Sequence, residues 1–283
     1  MLKLSDIAIE NIADGIVDLI ISRGKSSKNV YAVGGGDDEL SIVKSKRTRR
    51  WLAFIRRVTR DEVIFRRGLV KYFKEQELKA LNVLSGQKSV NKAIEDTVSN
   101  IPTGKSELAK LVAFATPKII QALFVEATNT FTELEIGIAF DVMNPKVVEF
   151  VETRVGDLIK SISDTTKEAL RQTLKEGIEL GESIPKLAER IEVVYEDAKG
   201  YRATLIARTE NITAHNNGAL NGYRQSEVCE KKEWKTAGDD RVRPEHIAMD
   251  GETVLLDEPF SNGLMYPSEP NCRCCILPVL FKE

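Results

Sequence analysis

The chain has 283 residues, of which 42% are hydrophobic, 30% charged and 6% aromatic. That apolar fraction can form a core, so a disordered or fibrous chain is excluded and one large or two ordinary domains are expected. No run approaches the roughly 18 apolar residues that span a bilayer, since Pro117 and Lys118 interrupt the richest stretch. We therefore expect no membrane-spanning segment and no membrane partner. The first residues lack a continuous apolar core, so we expect neither a secretory signal nor a transit peptide.

The net charge of −2 hides a strong asymmetry. Between Lys44 and Lys74 the chain has twelve Lys and Arg residues against two acidic ones, so this block carries +10 and the remainder −12. Such a block favours phosphate groups or an acidic protein surface, with an affinity that falls as salt rises. Three alternatives stay open: a solvated helix face, an arm docked on an acidic partner, and a nucleic-acid site. The candidate binding residues are Lys46, Arg47, Arg49, Arg50, Arg56, Arg57, Arg60, Arg66 and Arg67.

In chain order, residues 1–43 are predicted to form an N-terminal arm that ends in a Gly-rich linker. Residues 44–143 form a basic helical region. Its apolar spacing predicts a helix from Trp51 to about Leu84 that closes at Ser85-Gly86. A second helix is expected over Ser106–Thr128 with a start or kink at Pro117, and a further short helix over Thr130–Val142.

Residues 144–199 are predicted to be a helical bundle segment that opens at Asn144-Pro145. Thr165 and Glu168 form a capping box, which predicts a second helix that ends at Gly181. Ser183 and Pro185 then begin a third. The first helix has one apolar stripe at spacings of three and four, which indicates core or interface packing; it comprises Val147, Val151, Val155, Leu158 and Ile162.

Residues 200–283 are predicted to form a small C-terminal α+β lobe. A helix from Arg202 to about Ser226 carries many Asn and Thr residues and a histidine, which are poor helix formers that usually have a bonding partner. We expect this face to dock on the chain's own C-terminal lobe. Strands are expected at Lys232–Thr236 and Thr253–Leu256, between turns rich in Gly and Pro. The predicted fold is thus mainly α, a helical bundle plus a loop-rich strand domain.

Three side chains in this lobe could bind a metal: His246, Cys272 and Cys274. Cys275 or Cys229 could supply a fourth ligand for tetrahedral zinc. The Cys-x-Cys spacing is tighter than the usual Cys-x-x-Cys, so a reduced, buried thiol cluster beside a core histidine is the alternative. A metal would stabilise a loop-rich lobe with little apolar content.

A second polar set is predicted to be a network of ion pairs that holds the long helix to the strand lobe. Its members are Arg208, Glu210, Asp239, Asp240, Arg241 and Arg243. The alternative is a catalytic site, with Glu210 or Glu245 as general base and His246 as acid or ligand of a metal-assisted hydrolase. No His-Glu-x-x-His, nucleophile elbow or Walker loop is present in the sequence, so we expect no enzyme and no catalytic residues.

Roughly residues 145–280 resemble the phage head morphogenesis family, minor capsid proteins similar to phage Mu protein F and the corresponding protein of phage SPP1. The resemblance rests on an ordered series of short motifs in the last third of the chain. The series is Ala207-Arg208-Thr209-Glu210, Trp234-Lys235-Thr236, Asp239-Asp240-Arg241-Val242-Arg243-Pro244-Glu245-His246, Asp250-Gly251, Phe260, Pro267 and Asn271-Cys272-Arg273-Cys274. The additional Cys275 and the strong basic block depart from the family pattern.

The resemblance implies a structural protein of a tailed phage or prophage, present in few copies in the virion head at the portal vertex. It would be made in the host cytoplasm and act in head assembly and DNA packaging. Its implied partners are the portal protein, the major capsid or scaffolding protein, and packaged double-stranded DNA. A nucleic-acid-binding protein without an assembly role and a zinc-dependent hydrolase are the two alternative functions.

Overall fold

The computed structural model describes residues 46–86, 92, 95–98 and 101–281. The predicted N-terminal arm, residues 1–43, lies outside the described residues. The helices are α1 (Lys46–Gly86), α2 (Lys105–Glu133), α3 (Pro145–Glu179), α4 (Ile184–Asp197), α5 (Ala203–Ser226) and α6 (Pro244–Ala248), and a π-helical turn, Ala198–Arg202, joins α4 to α5. The strands are β1 (Cys229–Lys235), β2 (Thr253–Leu255) and β3 (Cys275–Leu280).

The predicted fold class is confirmed. About 70% of the structure is helical, and a small three-stranded antiparallel sheet lies near the C-terminus. The described chain divides into two compact units that are each built from segments distant in sequence. Unit 1 contains residues up to Asp61, then Ile119–Val147 and the chain from Arg208 onwards; unit 2 contains Glu62–Lys118 and Val148–Ala207. The predicted domain boundaries at residues 143 and 199 stay a prediction, because compactness does not measure independent folding.

In unit 2 the apolar stripe of α3 is buried as expected, but the predicted break in this helix is wrong. The Thr165 and Glu168 pair lies inside one continuous helix. Thr166 is buried on the same stripe and donates its hydroxyl hydrogen to the Ile162 carbonyl at 2.8 Å. The stripe therefore continues through Thr166 to Leu170, and burial of that face outweighs the local capping signal.

The predicted short helix at Thr130–Val142 is also wrong. Helix α2 continues through Pro117 and ends at Glu133. Glu135 then adopts a left-handed conformation with φ of 57°. The Ile136 amide bonds the Phe131 carbonyl at 2.8 Å and the Glu135 amide bonds that of Thr132 at 3.3 Å. This pair of bonds is a Schellman cap, which closes the helix where no glycine marks its end.

Helix α2 is long and apolar enough to cross a membrane by length and composition. Its most apolar window has a mean hydropathy of 1.6, and 44% of that window is buried within the protein. The helix buries Leu123 completely and also carries the buried carboxylate of Glu126 in an ion pair with Arg57. These contacts are those of a core helix, whose apolar face packs inside the protein.

In unit 1 the sheet has the order β2-β1-β3, with both pairs antiparallel. Its inner face packs on α5 and the start of α1, in a core that contains Trp234, Ile276, Tyr223 and Phe54. The sequence predicts β1 and β2 but not β3. Strand β3 lies on the β1 edge with Trp234 opposite Ile276, and Pro278 within it lies opposite Lys232.

Close packing of α5 on α2 leads to a stability prediction. A Cβ atom on Gly218 would lie 2.2 Å from the backbone oxygen of Leu123, so Gly218→Ala must push two helices apart. We expect the free energy of unfolding to fall by about 3 kcal/mol or more, measured by urea denaturation.

The matched control is Gly200→Ala, because nothing lies within 4 Å of the added carbon in that helical position. There the stability should be unchanged or higher by up to about 1 kcal/mol, since alanine restricts the unfolded chain. Equal effects of the two substitutions would contradict the α2–α5 packing.

Candidate functional site

Helix α5 is the centre of the site. Every residue from Thr209 to Tyr223 is buried, although many of them are polar. Asn216 shows why this is possible: its amide nitrogen donates to the carbonyls of Pro267 at 3.1 Å and Cys274 at 3.2 Å, and its oxygen accepts from the Ile276 amide at 3.1 Å. The expected docking of the polar helix on the C-terminal lobe is therefore present.

His215, on the same helix, lies between two carboxylates. Its Nδ1 is 3.1 Å from Glu126 and its Nε2 is 3.1 Å from Asp61. Arg57 binds Glu126 with both arms of its guanidinium, at 2.8 Å and 2.6 Å. Two cations and two carboxylates thus form one buried network. Single-sequence patterns do not reveal it, because its members come from three helices.

Burial alone would lower the pKa of His215, but the hydrogen bonds to Asp61 and Glu126 outweigh burial and raise this pKa above 6.5. Burial alone would raise the pKa of Glu126, but hydrogen bonds from His215 and Arg57 lower it. The pKa of Asp61 is lowered for the same reason, by its bond to His215. All members of the network therefore favour their charged forms.

A second cluster brings together three of the predicted metal ligands. Helix α6 presents His246, and the segment before β3 presents Cys272 and Cys274. The Nδ1 atom of His246 is 3.8 Å from the Cys272 sulfur and 3.6 Å from the Cys274 sulfur, and all three side chains are buried. Trp234 covers the imidazole edge-on, with ring centroids 5.1 Å apart.

The other two cysteines lie elsewhere. Cys275 is buried near Glu126 and Arg57, and burial raises the pKa of its thiol. Cys229 begins β1, where burial likewise raises the thiol pKa. Cys272 differs: its hydrogen bond with Cys274 and its contact with His246 lower the pKa of its thiol. Cys275 lies apart from the cluster because successive residues of an extended segment point to opposite faces.

A cavity of about 120 Å³ adjoins this cluster. Its walls carry several cationic and amide groups beside the sulfur atoms. The lining residues are Arg241, Val242, Arg243, His246, Asn271, Cys272, Arg273 and Cys274. The cavity has room for solvent-sized molecules beside the cluster.

The predicted ion-pair set is only partly brought together. Arg241 contacts Asp239 at 3.3 Å, but the principal partner of Asp239 is Arg273, which forms two bonds of 2.7 Å. Arg208 donates to the side-chain oxygen of Asn271 at 3.1 Å. Arg243 lies 3.6 Å from Glu269, Glu210 is buried on α5, and Asp240 is exposed.

Other motif residues hold the end of the central strand, β1. One carboxylate oxygen of Asp250 accepts hydrogen bonds from the Thr236 amide at 2.8 Å and from Lys235 at 3.1 Å. Gly251 follows with φ of 93°, a conformation that favours glycine. The Gly251 amide then donates to the Trp234 carbonyl at 2.8 Å. The Trp-Lys-Thr and Asp-Gly motifs are therefore one structural unit.

The predicted basic surface is divided between internal and exposed roles. Arg57 belongs to the buried network, Arg47 pairs with Glu233 on β1, Arg50 pairs with Glu133, and Arg66 donates to Thr204 at 2.8 Å. The side chains of the other predicted residues are exposed on α1; these are Lys46, Arg49, Arg56, Arg60 and Arg67.

Fold and site together define a mainly helical protein whose polar central helix holds a small α+β lobe. Residues 167–277 match the family model described as phage Mu protein F like protein. This match confirms the resemblance to the phage head morphogenesis family. The match suggests a phage head morphogenesis protein, and that family implies a place in the virion and interactions with other head proteins. No curated protein and no solved structure matches the chain.

The buried network makes stability depend on pH. Because the pKa of His215 is higher in the folded state, its stabilising contribution is full below 6.5 and is lost as the pH rises through the folded-state pKa. His215→Gln should lower the free energy of unfolding by about 3–5 kcal/mol at pH 6, since it removes the cation between two carboxylates and leaves only Arg57 to pair with Glu126. The same substitution should also remove much of the decline in the free energy of unfolding above pH 6. Urea denaturation at a series of pH values measures this decline.

The control is Arg56→Ala, because this neighbour of Arg57 is exposed and should change stability by no more than about 0.5 kcal/mol. If His215→Gln kept the same pH profile as the natural chain, the protonated histidine would not be part of the fold's electrostatics.

Proposed function

We propose that this head protein is a minor capsid protein that docks on the portal ring during head assembly. The observation that carries the proposal is a row of exposed cations along α1. The row comprises Arg49, Arg56, Arg60, Arg67, Lys71 and Lys74, at spacings of seven, four, seven, four and three residues. These spacings put all six on one face of the helix.

The composition of this face favours an acidic protein surface over a DNA backbone. Val63, Ile64 and Leu78 lie among the cations and are 44%, 43% and 57% exposed. Aliphatic side chains gain free energy by leaving water at a protein interface but have no favourable partner in a row of phosphates. Cations with interspersed aliphatic residues are therefore suited to an acidic ring with apolar patches.

A second candidate function, contact with packaged double-stranded DNA, is supported by the same six cations. DNA binding would depend on charge alone and fall steeply with salt. Docking on the portal would depend on both charge and the aliphatic residues. The two functions therefore respond differently to substitution of Val63 and Ile64, which leaves the charge unchanged.

The test is co-purification of the full chain with the phage's portal protein at about 50 and 200 mM salt, with short duplex DNA in a parallel assay. The double variant Arg56→Glu, Arg67→Glu should weaken portal binding about tenfold or more, because it reverses two charges of the row. Val63→Ser with Ile64→Ser should weaken portal binding and leave DNA binding unchanged.

The matched control is Arg171→Glu with Lys175→Glu, two exposed cations on α3. It makes the same change in net charge and should leave binding unchanged. A portal complex that resists all of these variants would overturn the assignment of this face. The absence of any complex, with DNA binding that depends on the row, would favour the nucleic-acid function instead.

A further inference from the structure

The cluster of His246, Cys272 and Cys274 has the geometry of a metal site. One ligand atom from each residue lies within 4.8 Å of the other two. The cluster is separate from the charged face of α1, so a role for these three residues goes beyond the proposed function and does not depend on it. Two explanations compete: a hydrogen-bonded group of thiols and an ion bound at the centre.

The distances favour an ion. Zinc lies about 2.3 Å from sulfur and about 2.0–2.1 Å from a histidine nitrogen, and tetrahedral angles then separate sulfur from nitrogen by about 3.6 Å. The observed separations from Nδ1 are 3.6 Å to Cys274 and 3.8 Å to Cys272. Both edges thus have the length that ligands of one tetrahedral ion require.

Hydrogen bonds to Nδ1 alone account for only one of these contacts, and the second sulfur then needs the bond between Cys272 and Cys274. A neutral imidazole has a single acceptor nitrogen, so Nδ1 can accept one S–H bond and not two. The structure places both sulfur atoms at similar distances from this nitrogen. An ion between the three atoms explains both approaches at once.

The surroundings of the second ring nitrogen of His246 support the same conclusion. The Nε2 atom of His246 lies 2.5 Å from a carboxylate oxygen of Glu269. The negative charge of a carboxylate this close favours the proton on Nε2, which leaves the lone pair of Nδ1 free for a metal, as in carboxylate–histidine–zinc arrangements. The backbone amide of Cys274 also points to the Cys272 sulfur at 3.4 Å, a contact that stabilises a thiolate.

We infer that His246, Cys272 and Cys274 bind one Zn²⁺ ion, with Glu269 orienting the histidine. The fourth position faces the cavity of about 120 Å³ beside the cluster and takes a water molecule. Zinc there joins α6 to the segment before β3, which have few apolar residues to hold them together. Cys275 and Cys229 take no part in the site.

The experiment uses the full chain, stripped with a chelator and titrated with Zn²⁺ or Co²⁺. The expected result is one ion per chain, and a visible Co²⁺ spectrum with thiolate charge-transfer bands that Zn²⁺ abolishes. Cys272→Ser and Cys274→Ser should each lose this spectrum, whereas the matched control Cys229→Ser should keep it. Glu269→Gln should keep one ion per chain and weaken Zn²⁺ binding about 10–100-fold, because it removes the oriented carboxylate.

Measurements on the unsubstituted chain keep the test decisive if a cysteine variant fails to fold. The inference would be overturned by a folded chain that binds no Zn²⁺ and shows no Co²⁺ bands, provided that all four of its thiols titrate as free groups after unfolding. Loss of the Co²⁺ bands in Cys229→Ser or Cys275→Ser, with retention in Cys272→Ser, would overturn the assigned ligands.

Discussion

Complete burial of a polar helix is the constraint on which the C-terminal lobe depends. From Thr209 to Tyr223 no side chain of α5 reaches solvent appreciably. An unpaired buried polar group costs about 1–3 kcal/mol, so a helix of this composition is stable only where most of its polar groups have partners. Asn216 is bonded to the chain on both sides of the cysteine segment, and His215 lies between two carboxylates. The lobe is held in one register because only that register provides these partners.

The side chains of the family motifs form specific contacts in this arrangement. Asn271 accepts from Arg208 on α5, and Arg273 binds Asp239 in the turn after β1. Asp250 organises the end of β1 through Lys235 and Thr236. Most of the motif side chains therefore connect loops to the helix or the sheet. These contacts make the lobe rigid.

Much of the fold could be predicted from sequence, because apolar periodicity reports which face of a helix is buried. The docking of α5 follows from such patterns, and glycines mark the ends of α1 and α3. Helix α1 begins at Lys46, five residues before the predicted start at Trp51. The errors have physical causes. The capping box at Thr165 does not begin a new helix, because a continuous buried stripe favours one helix through this position. The Schellman cap at Glu135 has no glycine that would reveal it in the sequence.

The site was harder to predict because tertiary structure selects the pairs. A run of arginines does not show that Arg57 points inwards to Glu126 while Arg56 points to solvent. Cys-x-Cys spacing identifies two sulfur atoms on one face, but only the fold shows that His246 meets both and that Cys275 faces away. Glu269 has no motif signal, since its role depends on the ring nitrogen that it meets.

The proposed function requires that the protein be built into the head beside the portal. The most direct measurement is quantitative mass spectrometry of purified heads, with chemical cross-linking of the same sample. We expect the chain to be present in few copies relative to the major capsid protein, with cross-links from α1 lysines such as Lys71 and Lys74 to the portal. Two results would contradict the proposed function. One is that heads assemble and contain DNA but lack this chain; the other is that the chain is present but is cross-linked only to other partners.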